Sequence, residues 1–272
     1  MYLGHKFFDL YIDRQNKGFT LIELLVVIAI IALLLSILIP TLNLAKEKTK
    51  NVLCQNNLRQ YGLAGEMYLN ENDDTYPGAW NSLFLNWPSG SCQWHDEENF
   101  LDNRPDLAGP LWPYLANQGI HLCPTFKKVG IDYGAEYCNS NIPINPQYSY
   151  SMNMFLGPEY AERRTNVDRP TNTFFFGEEG MWVTPGLNGF VLNDNALCVF
   201  YGIAYNSLPP LDEPPQYTDS FSYFHNSPDL GILKDKTWDE LKDMKIGNTY
   251  AVFVDGRVDA VTPEVSYRYA KP

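Results

Sequence analysis

A run of 21 residues, Phe19 to Ile39, has only Thr20, Glu23 and Ser36 as polar interruptions and begins directly after Lys17-Gly18. At roughly 1.5 Å per helical residue the run reaches about 30 Å, the hydrocarbon thickness of a bilayer. It is longer than the apolar core of a secretory signal, ~7–15 residues, and no small-x-small site follows it. The span is therefore expected to stay in the mature chain. Glu23 is the anomaly, because an unpaired carboxylate in lipid costs at least a few kcal/mol. The sequence has to supply it with a positive partner.

A cut between Gly18 and Phe19 would do so. It leaves a charged amine on Phe19, with Glu23 four residues on, one helical turn away and on the same face. The amine could belong to the same chain or to a neighbouring copy packed with a stagger. In the second case Glu23 sets assembly register, as a buried polar residue does in a coiled coil.

The sequence divides into a mixed-charge leader, 1–18, one long helix, 19–72, and a head, 73–272. Residues 19–39 form the transmembrane part of the helix and 40–72 an amphipathic part. Leu42, Ala45, Thr49, Leu53, Asn56, Leu63 and Met67 recur there at three- and four-residue steps or their sums, which marks them as the packing face. Pro40 is expected to kink the helix. Gly62 and Gly65 read as weakening its far end, and "NENDDTYPG" at 70–78 ends it. Lys6, Arg14 and Lys17 precede the span and Lys46, Lys48, Lys50 and Arg59 follow it, so flanking charge does not set orientation.

The head reads as loops and short helices to about 147, one near 110–117. Strands are expected at 148–153, 172–178, 190–194 and 197–205, with a Pro-rich loop at 207–216. A short helix at 237–244 carries a Thr237/Glu240 capping box. Alternation around Asp255-Gly256 in "NTYAVFVDGRVDAVT", 248–262, is the best hairpin signal. The fold class is α+β, a long helix whose outer half is covered by an antiparallel sheet. With few Leu and Ile beyond the first helix, most of the six Trp, 18 Tyr and 15 Phe are expected to fill the core.

"KGFTLIELLVVIAIIALLLSILIP" closely resembles the class III signal of type IV prepilins and type II secretion pseudopilins. The resemblance implies cleavage between Gly18 and Phe19 by a prepilin peptidase, which also N-methylates Phe19. It further implies assembly through Glu23, paired with a neighbour's amine, and Pro40 at the helix kink. The leader is longer and more acidic (Asp9, Asp13) than is common in pseudopilins. Residues 45–80, Cys123-Pro124, 148–153 and 248–261 look like pilin-like proteins with a C-terminal H-X9-DG domain. Asp255 and Gly256 match that signature. Lys245 stands where its histidine would be, and His225 lies 30 residues before Asp255.

Other constellations read as structural. Cys92 and His95 with His121 and Cys123 could form a zinc site, but disulfides or buried thiols are favoured for the five cysteines of an exported head. "ENDDT" at 71–75 could hold calcium, and a solvated helix end is the favoured reading. Glu178 and Glu179 are adjacent on a strand and point to opposite faces. No nucleophile elbow or phosphate loop occurs, and no histidine–carboxylate spacing marks an enzyme. Neither catalytic residues, a metal nor a cofactor is expected.

The net charge of −12, with no basic stripe, excludes nucleic acid as a partner. The expected partners are prepilin peptidase, other pilin or pseudopilin subunits, a secretion or pilus assembly platform with its ATPase, and the membrane. The expected location is the inner membrane, single-pass, with the head outside the cytoplasm and extractable into a periplasmic or extracellular filament. The alternative is a single-pass signal-anchored protein whose aromatic head binds polysaccharide or another extracytoplasmic ligand.

Overall fold

The computed structural model describes residues 19–83, 107–115, 118–133, 146–158, 160–180, 196–197, 221–222, 225–226 and 247–262. Several expectations lie outside them: the leader with Gly18, Cys92, His95, Cys138, Cys198, Lys245, the strand at 190–194, most of that at 197–205, the loop at 207–216 and the helix at 237–244. The chain separates into two compact units, Met1–Lys46 and Glu47–Pro272.

Helix α1 (Leu21–Glu71) starts in the first unit, directly after Thr20, and runs through Pro40 without a break. Proline removes one N–H from the ladder. Just beyond it, the Thr41 hydroxyl donates to the carbonyls of Leu38 at 2.9 Å and Ile37 at 3.2 Å. Ser36 likewise donates to Leu33, at 2.7 Å. The helix thus satisfies these hydroxyls internally. Every side chain from Phe19 to Thr49 is exposed, and α1 is long and apolar enough to cross a membrane.

In the second unit, the outer part of α1 is the base of the head. Its buried stripe is Asn51, Cys54, Asn57, Leu58, Tyr61, Gly62, Ala64, Gly65 and Leu69. This corrects the sequence reading, since Leu42, Ala45, Thr49, Leu53, Asn56, Leu63 and Met67 are all exposed. The head packs on the small and polar side of α1 and leaves the aliphatic side bare. Gly62 and Gly65 are therefore contact points rather than weak spots. A Cβ at Gly62 would stand 2.7 Å from Val252 Cγ2, and one at Gly65 would overlap the Phe175 ring.

The head carries a five-stranded sheet of β1 (Tyr150–Asn153), β2 (Phe174–Glu178), β3 (Ala196–Leu197), β4 (Thr249–Phe253) and β5 (Val258–Val261). Its spatial order is β3-β1-β2-β4-β5. Four strands are antiparallel, and the two-residue β3 adds to the β1 edge in parallel. The predicted hairpin is β4–β5, turned by Gly256 at φ +83°, a backbone region glycine enters without strain. A bulge in β2 lets Phe174 oppose Phe253 while Phe176 opposes Val252. The extra residue turns both Phe175 and Phe176 toward the α1 side, where they join Tyr61, Tyr150 and Val252 in one core. Phe174, Leu197, Phe221, Ala251, Phe253 and Val261 form a second core on the other face. The aromatics fill both, as expected.

Helix α2 (Pro124–Tyr133) packs Phe126 and Val129 into the first core. The helix expected near 110–117 is a single 3-10 turn, Trp112–Tyr114. The acidic segment after α1 ends the helix through left-handed Asp73 and Asp74 (φ 54° and 58°). Arg164 fastens that end, pairing with Glu66 at 2.9 Å and Asp74 at 3.0 Å.

Candidate functional site

Among the described residues, two regions hold side chains that carry chemistry: the start of α1 and a buried polar centre in the head. At the start of α1, Phe19 is exposed and Glu23 already has partners. The Thr20 N–H and hydroxyl both donate to Glu23 Oε2, at 2.8 and 2.6 Å, and the Glu23 N–H donates back to Thr20 Oγ1 at 3.3 Å. This is a capping box, in which Thr20 and Glu23 satisfy each other's orphan donors at the helix N-terminus. The T-x-x-E spacing in "TLIE" encodes it, the same pattern read at Thr237. Glu23 therefore sits ready at the helix start, one turn from the place where a cut would expose the Phe19 amine.

The second region draws on distant parts of the sequence. Cys54 comes from α1, Cys123 from the residue before α2, Glu178 from the end of β2, and His225 from a bridge to Asn248. One ligand-capable atom from each lies within 4.8 Å of the others. All four are buried, with none more than 1% exposed. His225 Nε2 stands 2.9 Å from Glu178 Oε2 and 3.4 Å from Cys123 Sγ. The other ring nitrogen, Nδ1, is 2.8 Å from Asn51 Oδ1. Asn51 in turn donates to Asn226 Oδ1 at 2.9 Å, and Asn226 to Asn248 at 2.6 Å.

Three hydroxyls complete the centre. Thr249 and Ser222 donate to Glu178 Oε2, at 3.3 and 3.4 Å, and Tyr150 donates to Cys54 Sγ at 3.4 Å. Glu178 Oε1 has no hydrogen-bond partner. Burial by itself would lower the His225 pKa, yet the adjacent Glu178 carboxylate and Cys123 hold it up to about 11. The same pairing, against a burial cost that would raise it, keeps the Glu178 carboxyl below its ordinary value. Burial pushes the Cys54 thiol well up.

The sequence-predicted residues are thus redistributed. Cys123 turns toward Cys54 rather than toward His121, whose Nδ1 meets the Tyr61 hydroxyl at 2.7 Å and whose ring stacks on Trp112. Burial lowers the His121 pKa to about 4. Glu178 and Glu179 part as expected: Glu179 receives Ser151 at 2.6 Å while Glu178 joins the centre. Sequence reasoning missed the centre because no spacing links its four members. Cys54 and Cys123 are free thiols.

Residues 13–39 match the family model described as the prokaryotic N-terminal methylation motif. The chain is 45% identical over 60 residues, 22% of its length, to the type IV wide pilus major component of Thermus thermophilus. It is 29% identical over 109 residues, 38% of its length, to the type II secretion system core protein G of Pseudomonas aeruginosa. It spans 46% of the first relative and 75% of the second. No solved structure matches. The chain is thus similar to type IV pilins and type II secretion pseudopilins, with the methylation motif at the head of its apolar helix.

Proposed function

We propose that this chain is a pilin-like structural subunit of a type II secretion pseudopilus or a type IV pilus-like filament. It is made as a single-pass inner-membrane precursor with residues 73–272 outside the cytoplasm. Prepilin peptidase removes 1–18, cutting between Gly18 and Phe19, and methylates the new amine. An assembly platform and its ATPase then lift the subunit out of the membrane and add it to other subunits. Its work is assembly and not catalysis.

The observation that carries this reading is the bare apolar rod directly behind the methylation motif. In the first unit the apolar residues from Leu21 to Leu44 are exposed, and in the second unit Val52, Leu53, Leu63 and Met67 are exposed on the part of α1 that the head does not cover. Apolar surface on this scale requires lipid or other helices around it. A subunit that moves from bilayer to helix-packed filament core exchanges one for the other. Glu23 would then exchange its Thr20 partners for the Phe19 amine of a neighbour, which fixes the stagger between subunits. The relation to a pilus component and to a secretion core protein supports the same reading.

The test is intact mass and N-terminal sequencing of the protein recovered from its native membrane. A chain beginning at N-methylated Phe19 is expected. A chain that keeps residues 1–18 would sink the proposal and favour a signal-anchored ligand-binding protein.

A further inference from the structure

We propose that Cys54, Cys123, Glu178 and His225 form a structural zinc site at the base of the head. The argument begins with the donor set. Two thiolates, an imidazole and a carboxylate are ligands zinc accepts, and the sulfur pair disfavours calcium and magnesium, which take oxygen. Four protein ligands with no open position describe a structural rather than a catalytic site. A tetrahedral zinc with ligands at ~2.0–2.3 Å holds them about 3.3–3.8 Å apart. The four atoms here lie within 4.8 Å of one another, and Cys123 Sγ to His225 Nε2 is already 3.4 Å. Side-chain adjustments of up to about 1 Å would close the shell, drawing in the wider separations and opening the 2.9 Å approach of His225 Nε2 to Glu178.

The surroundings point the same way. The Asn51 carbonyl oxygen accepts from His225 Nδ1–H, which keeps that nitrogen protonated and makes Nε2 the one that ligates once its proton leaves. Asn51 is itself held by Asn226 and Asn226 by Asn248, so the ring orientation is set through three asparagines. Tyr150 donates to Cys54 Sγ, and Ser222 and Thr249 donate to Glu178, each favouring the charged form of a ligand. Glu178 Oε1 is a buried oxygen without a hydrogen-bond partner, in a carboxylate whose neighbours include both thiols. Two thiolates and a carboxylate around a divalent ion leave one negative charge, which those hydroxyl donors answer. Binding releases both thiol protons and the proton on Nε2. Because the site is closed to solvent, the ion enters before the head closes, so metal binding and folding are linked.

The test uses the full chain, extracted in detergent from cells grown with zinc and purified without chelator. Elemental analysis is expected to find about one zinc per chain, as a closed four-ligand site requires. The Cys123→Ser and His225→Gln variants are expected to lose it while near-ultraviolet circular dichroism shows a retained fold. Should either variant fail to fold, wild-type protein grown with cobalt in place of zinc decides. A thiolate-to-cobalt charge-transfer band, from cobalt bound at about one per chain, supports the site. Metal-free protein with Cys54 and Cys123 joined in a disulfide overturns it, as does zinc retained in full by both folded variants. Zinc-free wild-type protein whose two thiols both react with an alkylating reagent on unfolding also overturns it.

Discussion

The ring of Phe175 lies against the bare backbone of Gly65, so close that a methyl group on Gly65 would overlap Cε1 and Cζ of the ring. Helix propensity alone would favour alanine there by about 1 kcal/mol. Overpacking in a core costs about 1–3 kcal/mol, so the packing term should win. Gly65→Ala is expected to lower the thermal midpoint of the head. Gly78→Ala, where a Cβ meets nothing within 4 Å, is expected to leave it near the wild-type value. Equal midpoints for the two variants would disprove the contact.

Glu23 has one role inside the chain and a proposed one between chains, and the two separate by mutation. Thr20→Val removes the cap and should cost about 1 kcal/mol at the helix end without stopping assembly. Glu23→Gln should still be cut between Gly18 and Phe19, but should reduce recovery in the sheared filament fraction at least ~10-fold, about 1.4 kcal/mol per contact. Immunoblots of the sheared and membrane fractions read both. Equal filament yield from Glu23→Gln and wild type would remove the register role.

The bare aliphatic side of α1 offers a test of which face serves the head. Leu53→Ser and Met67→Ser, both at exposed positions, should change head stability by no more than about 0.5 kcal/mol. The same pair should impair filament formation if neighbouring helices cover that side. Denaturant unfolding and the filament fraction, measured together, distinguish a stability defect from an assembly defect.

Arg164 ties the last turns of α1 to the segment after β1, through Glu66 at 2.9 Å, Asp74 at 3.0 Å and Asn70 at 3.3 Å. About a third of its side chain remains exposed, so solvent screens the pairing. Arg164→Ala is expected to cost about 1 kcal/mol, and the difference from wild type should shrink in high salt. Chemical unfolding with and without added salt checks both.

Asn51 touches none of the proposed metal directly, yet it orients His225. Asn51→Leu keeps all four ligands and removes the acceptor for Nδ1–H. Loss of such a support typically costs 10–100-fold in metal affinity, and zinc competition against a chromogenic chelator would measure it. Chelator treatment of the wild-type chain should lower its thermal midpoint, whereas Asn51→Leu should start lower and respond less. An unchanged zinc affinity in Asn51→Leu would deny Asn51 this positioning role.

The parts of the fold legible in the sequence are those set by local pattern. The apolar run after Gly18 marks α1, and Asp255-Gly256 marks the β4–β5 hairpin because only the turn geometry has to be encoded there. "YSYSMN" and "NTFFFGE" mark β1 and β2. The buried side of the outer helix was misread, because hydrophobic periodicity assumes that the apolar side faces inward. Here the aliphatic side is bare and the side packed by the head is Asn51, Cys54, Asn57, Tyr61 and two glycines. A helix with two different coverings cannot be read as if it had one. The polar centre was invisible for another reason. Cys123 and His225 are 102 residues apart, and they meet because Cys123 is held by Ser149 beside β1 while His225 pairs with Asn248 beside β4.

Strand order also dictates a sequence in time. The central strand β2 lies between β1, made before it, and β4, made some 70 residues later. While the chain is still emerging, β2 has one open edge, and His225 has no Asn248 to hold it. Cys54 and Cys123 are by then made, and among the described residues each has the other as its neighbouring thiol. A chain terminated before Thr249 would therefore display both an unpaired aromatic strand and a reactive thiol pair. Those are features that proteases and disulfide-forming enzymes recognise. The hairpin at 249–261 is the clasp whose closing hides them.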